Sequence, residues 1–260
     1  MHHHRSGSGA PLVLIHGVGH HWQAWEPVID RLGGRFDVLA CDSPGFGQSP
    51  PLPAGTEPTL WAYVDAFERF LSEHGLDAPH VAGNSMGGAI ALELARRGRV
   101  ASATAFSPAG FWTAAERRYA LLSLAAFARM PMGLQPGVRR LARTPAGRAA
   151  LLAQLVKRPS AVPFDVVDAT LVDAFAAPAF AGTLAAFEQY TFTGGGQLDG
   201  ARVTVAWGDC DRLLPYGRQA PRARNVLPHA RHVTLDAGHL PFYDAPDAVA
   251  SVIRATAAAA

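Results

Sequence analysis

The sequence predicts an α/β fold, a mostly parallel central sheet flanked by helices. Short apolar or β-branched runs recur with helical stretches between them, the pattern of parallel strands joined by crossover helices. Several runs, Leu12-Val13-Leu14-Ile15 among them, lack polar alternation, as a strand covered on both faces requires. The chain's most chemically suggestive residues follow directly on such runs, at the sheet edge where open α/β folds keep their sites.

In chain order, strands are expected at Leu12 to His16, Phe36 to Asp42, His80 to Gly83, Ala101 to Ser107, Val203 to Trp207 and His232 to Leu235, all of them central. Ahead of them, His2-His3-His4 fits either a tag remnant or a short first strand ending in the turn Ser6-Gly7-Ser8-Gly9. Leu60, Tyr63, Val64, Phe67, Phe70 and Leu71 fall at spacings of three and four, with Asp65, Glu68 and Arg69 opposite, so this stretch is an amphipathic helix. Thr59 is its expected N-cap and Gly75 its stop. A second helix starts just after Ser85 and runs through Ile90 to Arg97. From Phe111 to Gln197 the composition turns to Ala, Leu and Arg, and six prolines from Pro131 to Pro178 interrupt it without any strand signal. Residues 111–197 therefore read as a helical cap insertion in a core of residues 1–110 and 198–260. Gly194-Gly195-Gly196 is its flexible exit, and Ala257 to Ala260 reads as the end of a last helix.

Charge and composition exclude several classes. With 23 basic and 21 acidic side chains, a net +2, there is no electrostatic case for a nucleic-acid grip or a polybasic membrane anchor. At 49% hydrophobic and 17% charged residues the chain is too apolar for disorder. Tyr119 to Ala128 is the longest apolar stretch and far too short to span a bilayer. The only apolar run near the start, Leu12 to Ile15, is no export signal. Cys41 and Cys210 make neither a disulfide scaffold nor a metal-ligand spacing, so a cytoplasmic location is expected and both thiols read as inert. The expected partner is a small-molecule substrate, the expected assembly a monomer or homodimer.

Gly83-Asn84-Ser85-Met86-Gly87-Gly88 satisfies G-x-S-x-G and lies between a strand and a helix. A strand turning that sharply strains its central residue, and only small residues two before and two after avoid a clash. The turn exposes the Ser85 hydroxyl and aims the Met86 N–H at the same point. A serine hydroxyl is a poor nucleophile until a neutral histidine takes its proton, and that imidazole needs a carboxylate to fix its tautomer. Downstream, a strand runs into Gly208-Asp209-Cys210-Asp211, and the next leads to Asp236-Ala237-Gly238-His239. The chain order Ser85, acid, His239 suits the chemistry, and composition alone does not separate Asp209 from Asp211.

Four blocks together resemble the α/β-hydrolase fold family. His16-Gly17-Val18-Gly19 is similar to its oxyanion loop, a resemblance that gives Val18 the second oxyanion donor beside Met86. Asp42-Ser43-Pro44-Gly45-Phe46-Gly47-Gln48-Ser49 resembles its D-x-x-G-x-G-x-S loop. Gly208 to Pro215 resembles G-x-x-D-x-x-x-P, which selects Asp211 as the acid. Gly238-His239-Leu240-Pro241 with Asp244-Ala245-Pro246 resembles the block carrying the base. The resemblance implies a serine hydrolase needing no metal or other cofactor, its first expectation being carboxylic-ester hydrolysis. The alternatives are a C–C hydrolase of a vinylogous diketone, lactonase, thioesterase or perhydrolase. The elbow resembles that of the C–C hydrolases, although Leu240 stands where those typically carry Trp. Serine at position 85 argues against the family's dehalogenases and epoxide hydrolases, which use aspartate there. Trp25, Phe111, Trp112 and Leu240 are the expected substrate contacts, His16 a brace for the oxyanion loop, Asp236 a local hydrogen-bonding residue, and His20 and His21 exposed residues of the pocket rim.

Overall fold

The structure is a computed structural model that describes residues 1–32, 34–198 and 202–258. Seven strands form one sheet: β1 (His3–Gly7), β2 (Ala10–Ile15), β3 (Phe36–Cys41), β4 (His80–Asn84), β5 (Ser102–Phe106), β6 (Arg202–Gly208) and β7 (Arg231–Leu235). Their order is β1-β3-β2-β4-β5-β6-β7. All neighbours are parallel except β1, which runs antiparallel to β3 with His3 opposite Cys41 and Gly7 opposite Asp37. The histidine-rich start is thus a sheet strand. One expectation needs correcting: β7 closes the sheet at the far edge, and only Leu235 in it is buried. An edge strand has one open side, so Thr234 and Arg231 tolerate solvent there.

The unbroken apolar runs are explained by the layers on either side. Val13 and Ile15 belong to the core shared with α2 (Leu60–Glu73) and α3 (Met86–Arg96), while Leu12 and Leu14 join the opposite core with α1 (Glu26–Leu32) and α11 (Pro246–Ala258). All four side chains are fully buried, because successive residues of a strand point to opposite faces. Thr59 caps α2, its Oγ1 accepting from the Ala62 N–H at 3.2 Å, and Gly75 follows in the left-handed region. Ala259 and Ala260 lie outside the described residues.

Between β5 and β6 the chain makes α4 (Ala114–Ala128), α5 (Gln135–Ala142), α6 (Pro145–Leu152), α7 (Phe164–Ala176) and α8 (Phe180–Ala186). The prolines that interrupt this stretch mark helix starts. Pro145 opens α6 behind the Thr144 cap, and Pro163 precedes α7, where a missing N–H is harmless. Thr113 and Glu116 close a reciprocal capping box on α4. After β6, α9 (Tyr216–Val226) and α10 (Pro241–Asp244) complete the fold. Among the described residues no single helix is long and apolar enough to cross a membrane.

Candidate active site

Ser85 sits between the last residue of β4 and the first of α3 with φ 57° and ψ −112°. A non-glycine residue in that region carries strain on the order of 1–3 kcal/mol, held in place by its surroundings. Its N–H donates to the Phe106 carbonyl at 2.9 Å, and its own carbonyl accepts from Ala89 and Ala109 at 3.0 and 3.1 Å. A Cβ on Gly83 would run into the Gly87 carbonyl, and one on Gly87 into that of Ile15. The two glycines therefore let the turn close against both the helix and the neighbouring strand. Ser85 is partly exposed between buried Asn84 and Met86.

Asp211 and His239 come from the loops after β6 and β7. Nδ1 of His239 lies 2.8 Å from Asp211 Oδ2, and both side chains are almost fully buried. The other carboxylate oxygen of Asp211 accepts the N–H groups of Leu213 and Leu214 at 3.0 and 2.8 Å. These fixed donors orient the acid toward the imidazole. Asp209, by contrast, pairs with Lys157 Nζ at 3.1 Å on the surface, and Asp236 is held by Lys157 and Arg158. The two neighbouring aspartates thus fall on different sides of the loop.

His16 braces the loop that follows β2. Its Nε2 accepts the Ser43 N–H at 2.9 Å, which leaves Nδ1 to donate to the Gly17 carbonyl at 2.7 Å. Burial drives its pKa down to about 4 against the opposing pull of Gly17 and Asp42, so the ring is neutral. Gly17 in turn packs toward Ser85: a Cβ there would stand 3.2 Å from that of the serine. Asp42 ties the next loop down by accepting from the Trp22 and Gln48 N–H groups and from His2.

Two cavities meet at Val18 and Leu124. One of about 20 Å³ adjoins Ser85 and is bounded by Met86, Trp112, Leu121 and Leu214. The other, about 200 Å³, opens under the insertion between Phe127, Leu171, Leu240 and Tyr243. Trp112 and Leu240 therefore line cavities, each a different one. Trp25 and Phe111 line neither: Trp25 is fully buried against Phe106 and Phe242, and Phe111 packs on Phe192 and Trp207. Both are core residues, because helix α1 and the β5 exit press them onto the sheet. His20 and His21 are also buried, contrary to the exposed rim expected of them. His20 faces the larger cavity with its Nδ1 unpartnered, and desolvation holds its imidazole well below the ordinary histidine value. Cys41 is a buried free thiol whose pKa burial pushes up, and Cys210 is free and half-buried.

Two contacts have no counterpart in the sequence reading. Asn84 Nδ2 donates to the His239 carbonyl at 2.9 Å and to that of Phe106 at 3.2 Å, joining the serine turn to the histidine loop. Asp244 accepts the Gly238 N–H and those of Lys157 and Arg158, all at 2.8 Å, clamping the insertion to the same loop. Asn84 lies inside the quoted motif, but no local signal points to a partner 155 positions away.

The alpha/beta hydrolase fold family matches residues 10–246. A dihydrolipoyllysine-residue acetyltransferase component of the acetoin cleaving system from Cupriavidus necator is 34% identical over 250 residues, 91% of this chain, which spans 60% of that protein's length. Epoxide hydrolase EphH of Mycobacterium tuberculosis is 29% identical over 201 residues, 73% of this chain and 91% of that one. The crystal structure of a membrane phospholipase A, a bacterial virulence factor, superposes with TM-score 0.74 at 27% identity, covering 97% and 80% of the two chains. A match that starts in β2 and ends where α11 begins takes in every loop described above, and the chain belongs to the α/β hydrolase fold family.

Proposed function

We propose that the chain hydrolyses a carboxylic ester of a small or medium apolar substrate through an acyl-enzyme on Ser85. The observation that carries this reading is the buried Asp211–His239 pair, tied by Asn84 to the strained turn that bears Ser85. His239 takes the hydroxyl proton as Ser85 Oγ attacks the carbonyl carbon, and Asp211 stabilises the imidazolium. The backbone N–H groups of Val18 and Met86 hold the oxyanion. Collapse breaks the ester bond, and His239 passes the proton to the departing alcohol. Water then attacks the acyl-enzyme with the same base, releasing the acid and restoring the serine. In this reading the insertion is a cap, and the larger cavity beneath it takes the longer apolar arm of the substrate.

Serine at position 85 favours acyl transfer over the epoxide chemistry named for the Mycobacterium tuberculosis relative, because the resemblance gives epoxide hydrolases an aspartate there. The likeness to a phospholipase A at 27% identity supports an ester as the scissile group. The test is turnover of p-nitrophenyl esters of rising acyl length by the unaltered chain and Ser85→Ala, with a dienone-type C–C substrate alongside. The expected outcome is ester turnover that falls by about 10⁴–10⁶ in kcat with the substitution. Cleavage of the C–C substrate without ester turnover would move the assignment to the vinylogous-diketone hydrolases. Ester turnover surviving Ser85→Ala within a few fold would remove the serine mechanism altogether.

A further inference from the structure

The near-neutral total charge hides an uneven distribution. Residues 117–164 hold nine of the 23 basic side chains and none of the 21 acidic ones. The rest of the chain, with 14 basic and 21 acidic residues, is therefore net −7. The average of +2 therefore does not describe the charge of this segment.

The same region exposes apolar side chains. Of the seven large hydrophobic residues exposed among the described residues, six belong to the insertion, with Met132 at 82%, Leu134 at 59% and Leu122 at 57% the most exposed. Helix α4 accounts for part of this. Its residues Arg118, Tyr119, Leu122 and Ala126 face solvent, with the C-cap Arg129 beyond them, while Ala120, Leu124 and Phe127 turn to the cavities. The helix thus carries apolar side chains on two opposite faces, the outer one edged by Arg118 and Arg129, which suits an element with protein on one side and a lipid interface on the other. Leu134 and Leu141, one at each end of α5, continue the exposed apolar character. Around them, Arg139 is paired with Asp168 at 2.6 Å and Arg143 stands over the Phe164 ring in the field of the same carboxylate, whereas among the described residues no carboxylate pairs with Arg129 or Arg140.

We propose that the segment from Tyr119 to Arg143 docks on an anionic lipid surface, with Leu122, Met132 and Leu134 entering the headgroup region and Arg129, Arg140 and Arg143 meeting lipid phosphates. Exposed apolar residues set among unpaired cations are what such a surface selects, each contribution adding to the other. A second copy paired symmetrically through this face is disfavoured as the occupant, since it would press one arginine cluster against another. A nucleic-acid backbone offers nothing to the exposed aliphatic tip formed by Met132 and Leu134. Docking itself is independent of the hydrolase reading. Its consequence, that the bilayer abuts the helix whose other face lines both cavities, rests on that reading.

The test is co-sedimentation of the whole chain with vesicles of phosphatidylcholine alone or mixed with phosphatidylglycerol, at low and high salt. Anionic vesicles should bind at least about tenfold better than neutral ones, and salt should erase the difference. Arg140→Glu with Arg143→Glu should weaken binding by roughly fivefold or more per arginine, and Met132→Ser with Leu134→Ser should weaken it on both vesicle types. Circular dichroism checks that the variants fold; if either does not, the salt titration of the unaltered chain decides alone. Ser85→Ala should bind vesicles as the unaltered chain does, which separates docking from catalysis. Equal binding to both vesicle types at low salt, or anionic binding that folded variants retain in full, overturns the proposal. So does concentration-dependent self-association abolished by Met132→Ser with Leu134→Ser in a chain that ignores vesicles, which would give the surface to a second copy.

Discussion

At the sheet edge, Ser85, Asp211 and His239 stand on the loops after the parallel strands β4, β6 and β7; main-chain N–H and C=O groups hold the first two, and the side chains of Asn84 and Asp211 hold the third. In the insertion, Leu124, Phe127 and Leu171 are held by packing between helices, and the outer face of α4 meets solvent. Hydrogen bonds are directional and short, so they set atoms to within fractions of an ångström. Dispersion contacts set volume and tolerate rearrangement among similar side chains. One region is therefore suited to fixing chemistry, the other to shaping what reaches it.

The two aspartates on the β6 loop give the most direct way to break that comparison. Asp211→Asn should lower kcat by about 10⁴, as loss of the carboxylate that orients a catalytic imidazole does elsewhere, while Asp209→Asn should stay within a few fold. Similar losses from both, measured with the same ester, would mean that the buried hydrogen bonds of Asp211 do not select the acid.

A stability measurement probes the brace beneath the same loops. The His16 pKa of about 4 lies below the ordinary 6.5, so the folded chain resists a proton that the unfolded chain accepts. Its contribution is complete above pH 6.5 and is lost as pH falls from there toward 4, in total on the order of 3 kcal/mol. Urea midpoints at about pH 7 and about pH 4 should show this slope in the unaltered chain, and His16→Gln should reduce it, leaving the part that buried His20 adds in the same direction.

Asn84→Ala removes the link between the serine turn and the histidine loop and takes its donor from the buried His239 carbonyl, while the Phe106 carbonyl keeps the Ser85 N–H. A loss of roughly 1–3 kcal/mol is expected, read as a ten- to hundredfold fall in kcat with KM little changed. The smallest effect belongs to the insertion. Leu124→Ala merges the two cavities and should shift the preferred acyl length with at most several-fold change in kcat/KM, consistent with the worth of a few methylenes in an apolar pocket. A hundredfold loss with every ester would show that this helix holds the chemistry as well as the shape.

The strand positions and the turn at Ser85 were legible because they rest on local rules. A two-sided strand must be apolar throughout, and a sharp strand-to-helix turn must have small residues at 83 and 87. The edge position of β7 was not legible, since its sequence differs little from that of a central strand and only the sheet order leaves one side open. Trp25 and Trp112 illustrate the same limit. Both are large aromatics near suggestive motifs, yet one is locked between Phe106 and Phe242 and the other borders the cavity at Ser85. Nothing within a few residues of either distinguishes them.

By itself, then, the sequence determined which residue types stand at the ends of the strands, and with them the fold class and the serine, acid and histidine proposed for catalysis. These depend on backbone sterics and on the chemistry of single side chains. The tertiary structure decided which aspartate is buried, that Asn84 bridges two loops, where the cavities lie, and that unpaired arginines and bare leucines share one segment of the surface. Those depend on which distant residues meet, and a contact across a hundred or more positions leaves no trace in the local pattern of either partner.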